Sequence, residues 1–197
     1  GTHALHLKYV DQVIGRREGV SAYYAMNGLM LPKQTVFICD TYVNYDPTAE
    51  QLVEMTILAA EEVRRFGLTP KVALLSHSSF GSYDTPSARK MQLATQMLWE
   101  RAPELEVEGE MHGDAALLPM LRERIFPNSR LRGEANVLIM PNLDAANITY
   151  NMVRVMTDGV AIGPILMGLD QPAHILTPAS TPRRVVNMTA IAAVEAQ

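Results

Sequence analysis

Short apolar runs alternate along this chain with signals that start helices, and that alternation constrains the fold more than any other feature. Residues 35–40 read TVFICD, 71–76 KVALLS, 105–110 LEVEGE and 136–140 NVLIM. Each is β-rich, short and bounded by turn-forming residues, which predicts strands. The run 105–110 alternates polar with apolar and suits a sheet edge. The others are nearly continuous and suit a sheet covered on both faces. Between them, Asp46-Pro47, Thr85-Pro86 and Thr181-Pro182 each set a capping side chain before a proline. Proline fits the first helical position because its missing N–H has no partner there. The first helix is expected over residues 47–66, with Leu52, Met55, Ala59, Val63 and Phe66 on one face and Gly67 as its stop. Strand–helix alternation predicts an α/β sandwich built on a mainly parallel sheet. Residues 163–181, rich in Gly and Pro, read as a crossing between domains.

Composition narrows the function classes. A chain of 197 residues buries roughly 70% of its unfolded surface in one core. It is 48% hydrophobic and 19% charged, with a net charge of −4, so it has no basic excess to neutralise a nucleic-acid backbone. Cys39 is the single cysteine, which excludes an internal disulfide and points to a reducing, cytoplasmic compartment. No apolar run reaches membrane-spanning length. The sequence starts Gly1-Thr2-His3, without an initiator Met, and is expected to be a fragment of a longer protein.

No P-loop, GxGxxG or GxSxG motif occurs. His3 and His6 have H-x-x-H spacing but lack further ligands, so no metal site is assigned. Cys39 lies in an apolar strand and reads as packing, as do most of the methionines. Two polar stretches follow strands, where α/β sheets gather ligands. The first is Ser76-His77-Ser78-Ser79-Phe80-Gly81-Ser82, equally readable as a phosphate-holding loop or a capped, solvated one. The second is Met111-His112-Gly113-Asp114, in which His112 reads as a switch or ligand contact and Asp114 as a helix cap.

Four segments carry a family resemblance: VALLSHSSFGS (72–82), GEMHGDAAL (109–117), ANVLIMPNLDAANITYNMVR (135–154) and IGPILMGLDQP (162–172). In order and spacing they resemble the phosphate acetyl/butyryltransferase family over nearly the whole chain. AMNGLMLPK (25–33), DTYVNYDPTAEQL (40–52) and HILTP (174–178) resemble specifically the C-terminal, phosphotransacetylase-like region of hybrid malic enzymes. The resemblance implies a two-lobed phosphotransacetylase-like α/β/α sandwich, akin to isocitrate and isopropylmalate dehydrogenases, lacking the start of its first lobe. Residues 1–20 would belong to the first lobe, 21–163 to the second, and 164–197 would return into the first. It also implies a preceding malic-enzyme module that uses NADP and Mg or Mn, and a homodimer formed through this domain.

The family's catalysts carry a Ser-Arg-Gly run near the C-terminus and an Asp beyond it, the hydroxyl, the phosphate-holding cation and the base for the CoA thiol. Here the corresponding stretch reads Leu176-Thr177-Pro178-Ala179-Ser180-Thr181-Pro182-Arg183-Arg184. Thr177 keeps a hydroxyl, Pro178 replaces the Arg, and Arg184 replaces the Asp. A guanidinium that never gives up its proton cannot act as a base. A further family arginine falls at Val155, next to Arg154.

The expected function is therefore a non-catalytic acetyl-CoA receptor that feeds back on malate oxidation, with an active phosphate acetyltransferase and a structural dimerisation module as alternatives. The candidate acetyl-CoA contacts are Ser76, His77, Ser78, Ser79, Asn142, Asn147, Arg154, His174 and Thr177. Arg183 and Arg184 join them as phosphate contacts at a helix N-terminus, or else form an exposed surface pair.

Overall fold

The computed structural model describes residues 2–197. In chain order it contains α1 (His3–Val13), β1 (Tyr24–Met30), β2 (Thr35–Cys39), α2 (Ala49–Arg65), β3 (Lys71–Leu75), α3 (Pro86–Arg101) and β4 (Glu106–Met111). Then follow α4 (Gly113–Leu117), α5 (Pro119–Ile125), β5 (Val137–Ile139), α6 (Leu143–Met156), β6 (Val160–Met167) and α7 (Pro182–Glu195). The strands form one sheet in the order β4-β3-β5-β2-β1-β6. β2, β5, β3 and β4 run parallel, whereas β1 is antiparallel to both of its neighbours, β2 and β6. β6 therefore points the same way as β2.

The period of two along each strand sorts side chains onto two faces. Phe37, Cys39, Val72, Leu74, Val137 and Ile139 pack with Leu52, Met55, Met91 and Leu98 of α2 and α3. Val36, Ile38, Ala73, Leu75 and Leu138 pack on the other face with Ala115, Ala146 and Tyr150 of α4 and α6. Both faces are covered, which is why these runs are apolar at consecutive positions. Cys39 is fully buried in this packing, and burial pushes its thiol well above the usual range. β4 lies at the sheet edge, as its alternating sequence predicts.

The helix starts expected at Thr85-Pro86 and Thr181-Pro182 are present, each Thr accepting a bond from the amide three residues on. The start expected at Asp46-Pro47 moves to Thr48. Thr48 accepts from the Gln51 amide at 3.2 Å while the Gln51 side chain accepts from the Thr48 amide at 2.9 Å, a reciprocal box that satisfies two end-of-helix donors. Asp46 pairs instead with Lys90. The face read from spacing is the buried one: Leu52, Met55, Ala59 and Val63 are in the core, with Phe66 packed at its margin. Asp114 caps nothing across the turn; His112 holds the cap position of α4, and Asp114 accepts from the adjacent Ala115 amide.

β1 and β6 were not expected. β1 carries Asn27 and Gly28 in its middle, and β6 carries Gly163 and Pro164, residues that break a strand pattern. Tertiary contacts account for them. A Cβ on Gly28 would sit 2.9 Å from Cε1 of Phe37. The buried Asn27 side chain donates to the Ile162 carbonyl of β6 and accepts from Thr41 at 2.7 Å. β6 runs through residues 163 and 164, so the Gly/Pro-rich connection is shorter than expected and starts after Met167.

Candidate functional site

The carboxyl ends of β2, β5, β3 and β4 share one edge of the sheet. There β3 delivers the serine-rich loop, and most of its hydroxyls hold the loop itself. Ser76 Oγ accepts from the Ser78 amide at 3.0 Å, and Ser79 Oγ accepts from the His112 amide at 3.2 Å. Ser78 is fully buried and donates its hydroxyl to Glu110. Glu110, at the end of β4, also accepts from the Gly81 amide at 3.2 Å and from Gln92 Nε2 at 3.1 Å. Phe80 adopts the left-handed conformation (φ 49°), unusual for a bulky residue, and its ring stacks on Phe126 at 4.5 Å. His112 Nε2 bonds to the His77 carbonyl at 2.7 Å, tying the two polar stretches together. His77 itself is exposed, its Nε2 lying 3.3 Å from the Thr85 hydroxyl at the start of α3.

The neighbouring turn after β2 is organised by Asp40. Its buried carboxylate accepts from the amides of Ala25, Tyr42, Val43 and Asn44 at 2.9–3.1 Å and from the Asn44 side chain. Burial pushes its carboxyl above the ordinary range, against the opposing pull of those N–H donors. Asn142 caps α6 by accepting from the Ala145 amide at 2.9 Å, and Asn147 donates to the Thr41 carbonyl at 3.0 Å. Asn142 also lines a cleft with Tyr45, Asp46, Pro86, Ser87 and Lys90, between the N-termini of α3 and α6.

The arginines lie elsewhere. Arg154 at the end of α6, with Arg183 and Arg184 at the start of α7, lines an open cleft that also includes Asp158, Thr181 and Asn187. This cleft abuts Val160, the start of β6, and so lies at the opposite edge of the sheet from the serine loop. Among the described residues none of the three arginines forms an ion pair. The Arg154 guanidinium stands 5.8 Å from the ring centroid of the buried Tyr150. Burial raises the Tyr150 phenol pKa, and the positive charges of Arg184 and Arg154 oppose that rise.

Two candidates join neither group. His174 Nδ1 accepts from the Leu166 amide at 3.1 Å and its Nε2 meets Glu195 at 2.7 Å, so both ring nitrogens are engaged between β6 and α7. Thr177 accepts from the Ser180 amide at 2.9 Å through its backbone carbonyl, closing a turn that exposes Pro178 and Ala179. His3 stacks on Tyr42 at 5.1 Å, and no group of three or more His, Cys, Asp or Glu among the described residues could hold a metal ion. Sequence reasoning missed Asp40, Glu110 and the fully buried Arg122. Arg122 donates to the carbonyls of Ala115 at 2.9 Å and Ala116 and Leu131 at 3.3 Å, and also to that of Gly133. Their signal was weak: charged residues beside apolar runs read as solvated.

The family model described as phosphate acetyl/butaryl transferase matches residues 1–193. The chain is 54% identical, over its whole length, to a region making up 26% of the NADP-dependent malic enzyme of Escherichia coli K12. It is 38% identical over its whole length to 28% of the phosphate acetyltransferase of Nitratidesulfovibrio vulgaris. It thus spans about a quarter of the length of these curated relatives. Its fold superposes on a Streptococcus pyogenes phosphotransacetylase with a TM-score of 0.94 at 30% identity, covering all of this chain and 60% of that one. On the strength of that match, which runs through both polar loops and the arginine cleft, the chain belongs to the phosphate acetyl/butaryl transferase family.

Proposed function

We propose that this chain is the non-catalytic, acetyl-CoA-binding regulatory region of a malic enzyme. The observation that carries the reading is the cleft of three arginines without ion pairs, set where the resemblance places a catalytic base. Arg184 occupies the position of the base and Pro178 that of the phosphate-holding cation. Three guanidiniums around one cleft suit the phosphates of CoA and do not suit abstraction of a thiol proton. Thr181 caps α7 beside them, so the positive end of that helix adds to the attraction for an anion. Of the serine loop, the exposed His77 and the backbone remain for a ligand, since the hydroxyls of Ser76, Ser78 and Ser79 hold the loop.

In this reading the whole protein converts malate to pyruvate and CO2 in a separate cytoplasmic module that uses NADP and Mg or Mn. Acetyl-CoA, made from pyruvate downstream, inhibits it through this region, which also mediates homodimer formation. A tenfold change in the active-to-inactive ratio requires only about 1.4 kcal/mol of differential binding. The test compares the full-length protein with one lacking this region, each assayed for malate turnover with and without acetyl-CoA. Inhibition confined to the full-length protein supports the reading. Equal inhibition of both places the receptor elsewhere. Inhibition of neither, with loss of self-association on deletion, favours an assembly role. The identity to phosphate acetyltransferases favours a second reading, an active transferase. Acetyl phosphate formation from acetyl-CoA and phosphate at about 10 per second would establish it.

A further inference from the structure

Helix α7 is held at its C-terminal end by acid groups that the proposed ligand site does not use. Glu195, in the last turn of α7, and Glu62, on the buried face of α2, line the same pocket between the two helices. His174 and Glu195 have side chains only 3% and 6% exposed, and Glu62 is 8% exposed. The Leu166 amide donates to His174 Nδ1, so that nitrogen carries no hydrogen. The ring hydrogen is therefore on Nε2 and is donated to Glu195 Oε2 at 2.7 Å. Glu195 then accepts from the ring on one side and confronts a second carboxyl on the other. Two buried carboxyls that share one pocket oppose each other's ionisation.

We infer that a proton held between Glu62 and Glu195, with His174 as the fixed third member, latches α7 onto α2 and β6, and that losing this proton releases the helix. The surrounding charges do not substitute for it. From α2, Arg65 pairs with Glu62, and Glu61 is drawn away to Arg17 at 3.0 Å. Asp170, from the segment between β6 and α7, lines the adjoining cleft together with Arg17 and Arg65. The cluster does not form a metal site either, since no group of three possible ligands meets that geometry among the described residues. Burial first, and then the charge of Glu195, push Glu62 up to about 8 from a usual 4.5, against the pull of Arg65.

The sign follows from proton counting. Between pH 4.5 and about 8 the latched state keeps a proton that the released state gives up. Raising the pH through that window therefore weakens the latch by about tenfold for each pH unit, and above it the weakening stops. α7 also carries Arg183 and Arg184 at its other end, so the proton at one end governs the mobility of the arginines at the other.

Hydrogen exchange of the α7 amides in the full-length protein, corrected for intrinsic rates, tests the latch between about pH 6 and pH 9. Wild-type protection in the last two turns should fall by roughly tenfold per pH unit up to about 8 and then level off. Glu62→Gln keeps an N–H donor toward Glu195 but cannot titrate, and should make that protection independent of pH. Identical pH profiles for the two proteins would overturn the inference. The wild-type protein gives a second readout that needs no variant: the carboxyl carbon resonance of Glu62 should titrate near pH 8, and titration in the ordinary carboxylate range would equally overturn it.

Discussion

Ser78 gives its buried hydroxyl to the carboxylate of Glu110, joining the loop after β3 to the end of β4. The bond turns a serine-rich stretch that resembles a ligand cradle into a self-supporting turn. It also explains how a carboxylate 1% exposed is tolerated. Every partner it has is an O–H or N–H donor: Ser78, Gly81 and Gln92.

Glu110→Ala should destabilise the protein by about 2–4 kcal/mol, because it leaves those donors buried without an acceptor. Ser78→Ala should cost less, about 1–2 kcal/mol. Urea unfolding midpoints measure both, and an equal, negligible effect would mean that water replaces the carboxylate.

Arg122→Met should cost about 2–4 kcal/mol although it keeps an apolar side chain of comparable length. The loss comes from stranding the carbonyls of Ala115, Ala116, Leu131 and Gly133, which join α4 to the segment before β5. The change should appear in the urea midpoint with little change in slope.

Gly109→Ala should destabilise by about 1–3 kcal/mol through overpacking alone. Its Cβ would lie 2.8 Å from the Leu74 Cβ and 2.9 Å from the Leu74 carbonyl oxygen of the adjacent strand, where neither can move without shifting β3. Gly81→Ala offers the contrast. Nothing lies within 4 Å of its added Cβ, so any cost there comes from its positive φ of 84°. Thermal unfolding of the two variants separates the causes, and repacking around Gly109 should be visible in the core methyl spectrum.

Under the proposed reading, Arg154→Ala and Arg184→Ala should each weaken acetyl-CoA binding by about tenfold, which corresponds to about 1.4 kcal/mol. Both should reduce the salt sensitivity of binding, since each removes one charge facing the anion. Calorimetry at two ionic strengths checks this. Unchanged affinity in both variants would move the ligand to the opposite edge of the sheet.

β2, β3 and β5 were legible because their apolar runs are continuous, β4 because its run alternates, and α3 and α7 because Thr-Pro pairs mark their starts. β1 and β6 were not legible. Asn27, Gly28, Gly163 and Pro164 interrupt the pattern, and only contacts distant in sequence, such as Asn27 with Ile162 and Gly28 against Phe37, make those positions strand. The arginines of the candidate site were named from sequence, but their assembly into one cleft depends on α6 ending beside the start of α7.

What the sequence determined by itself is local: the period of two that sorts strand residues onto two faces, and the caps that start helices. The tertiary structure alone decided which polar groups are consumed by the fold. Ser78, His174 and Asp40 look as free as any polar residue when read in one dimension. Each is buried against a partner 32, 21 or 15 residues away in the chain. A buried polar group must be paired, and its partner is set by how the chain closes in space rather than by its neighbours in sequence.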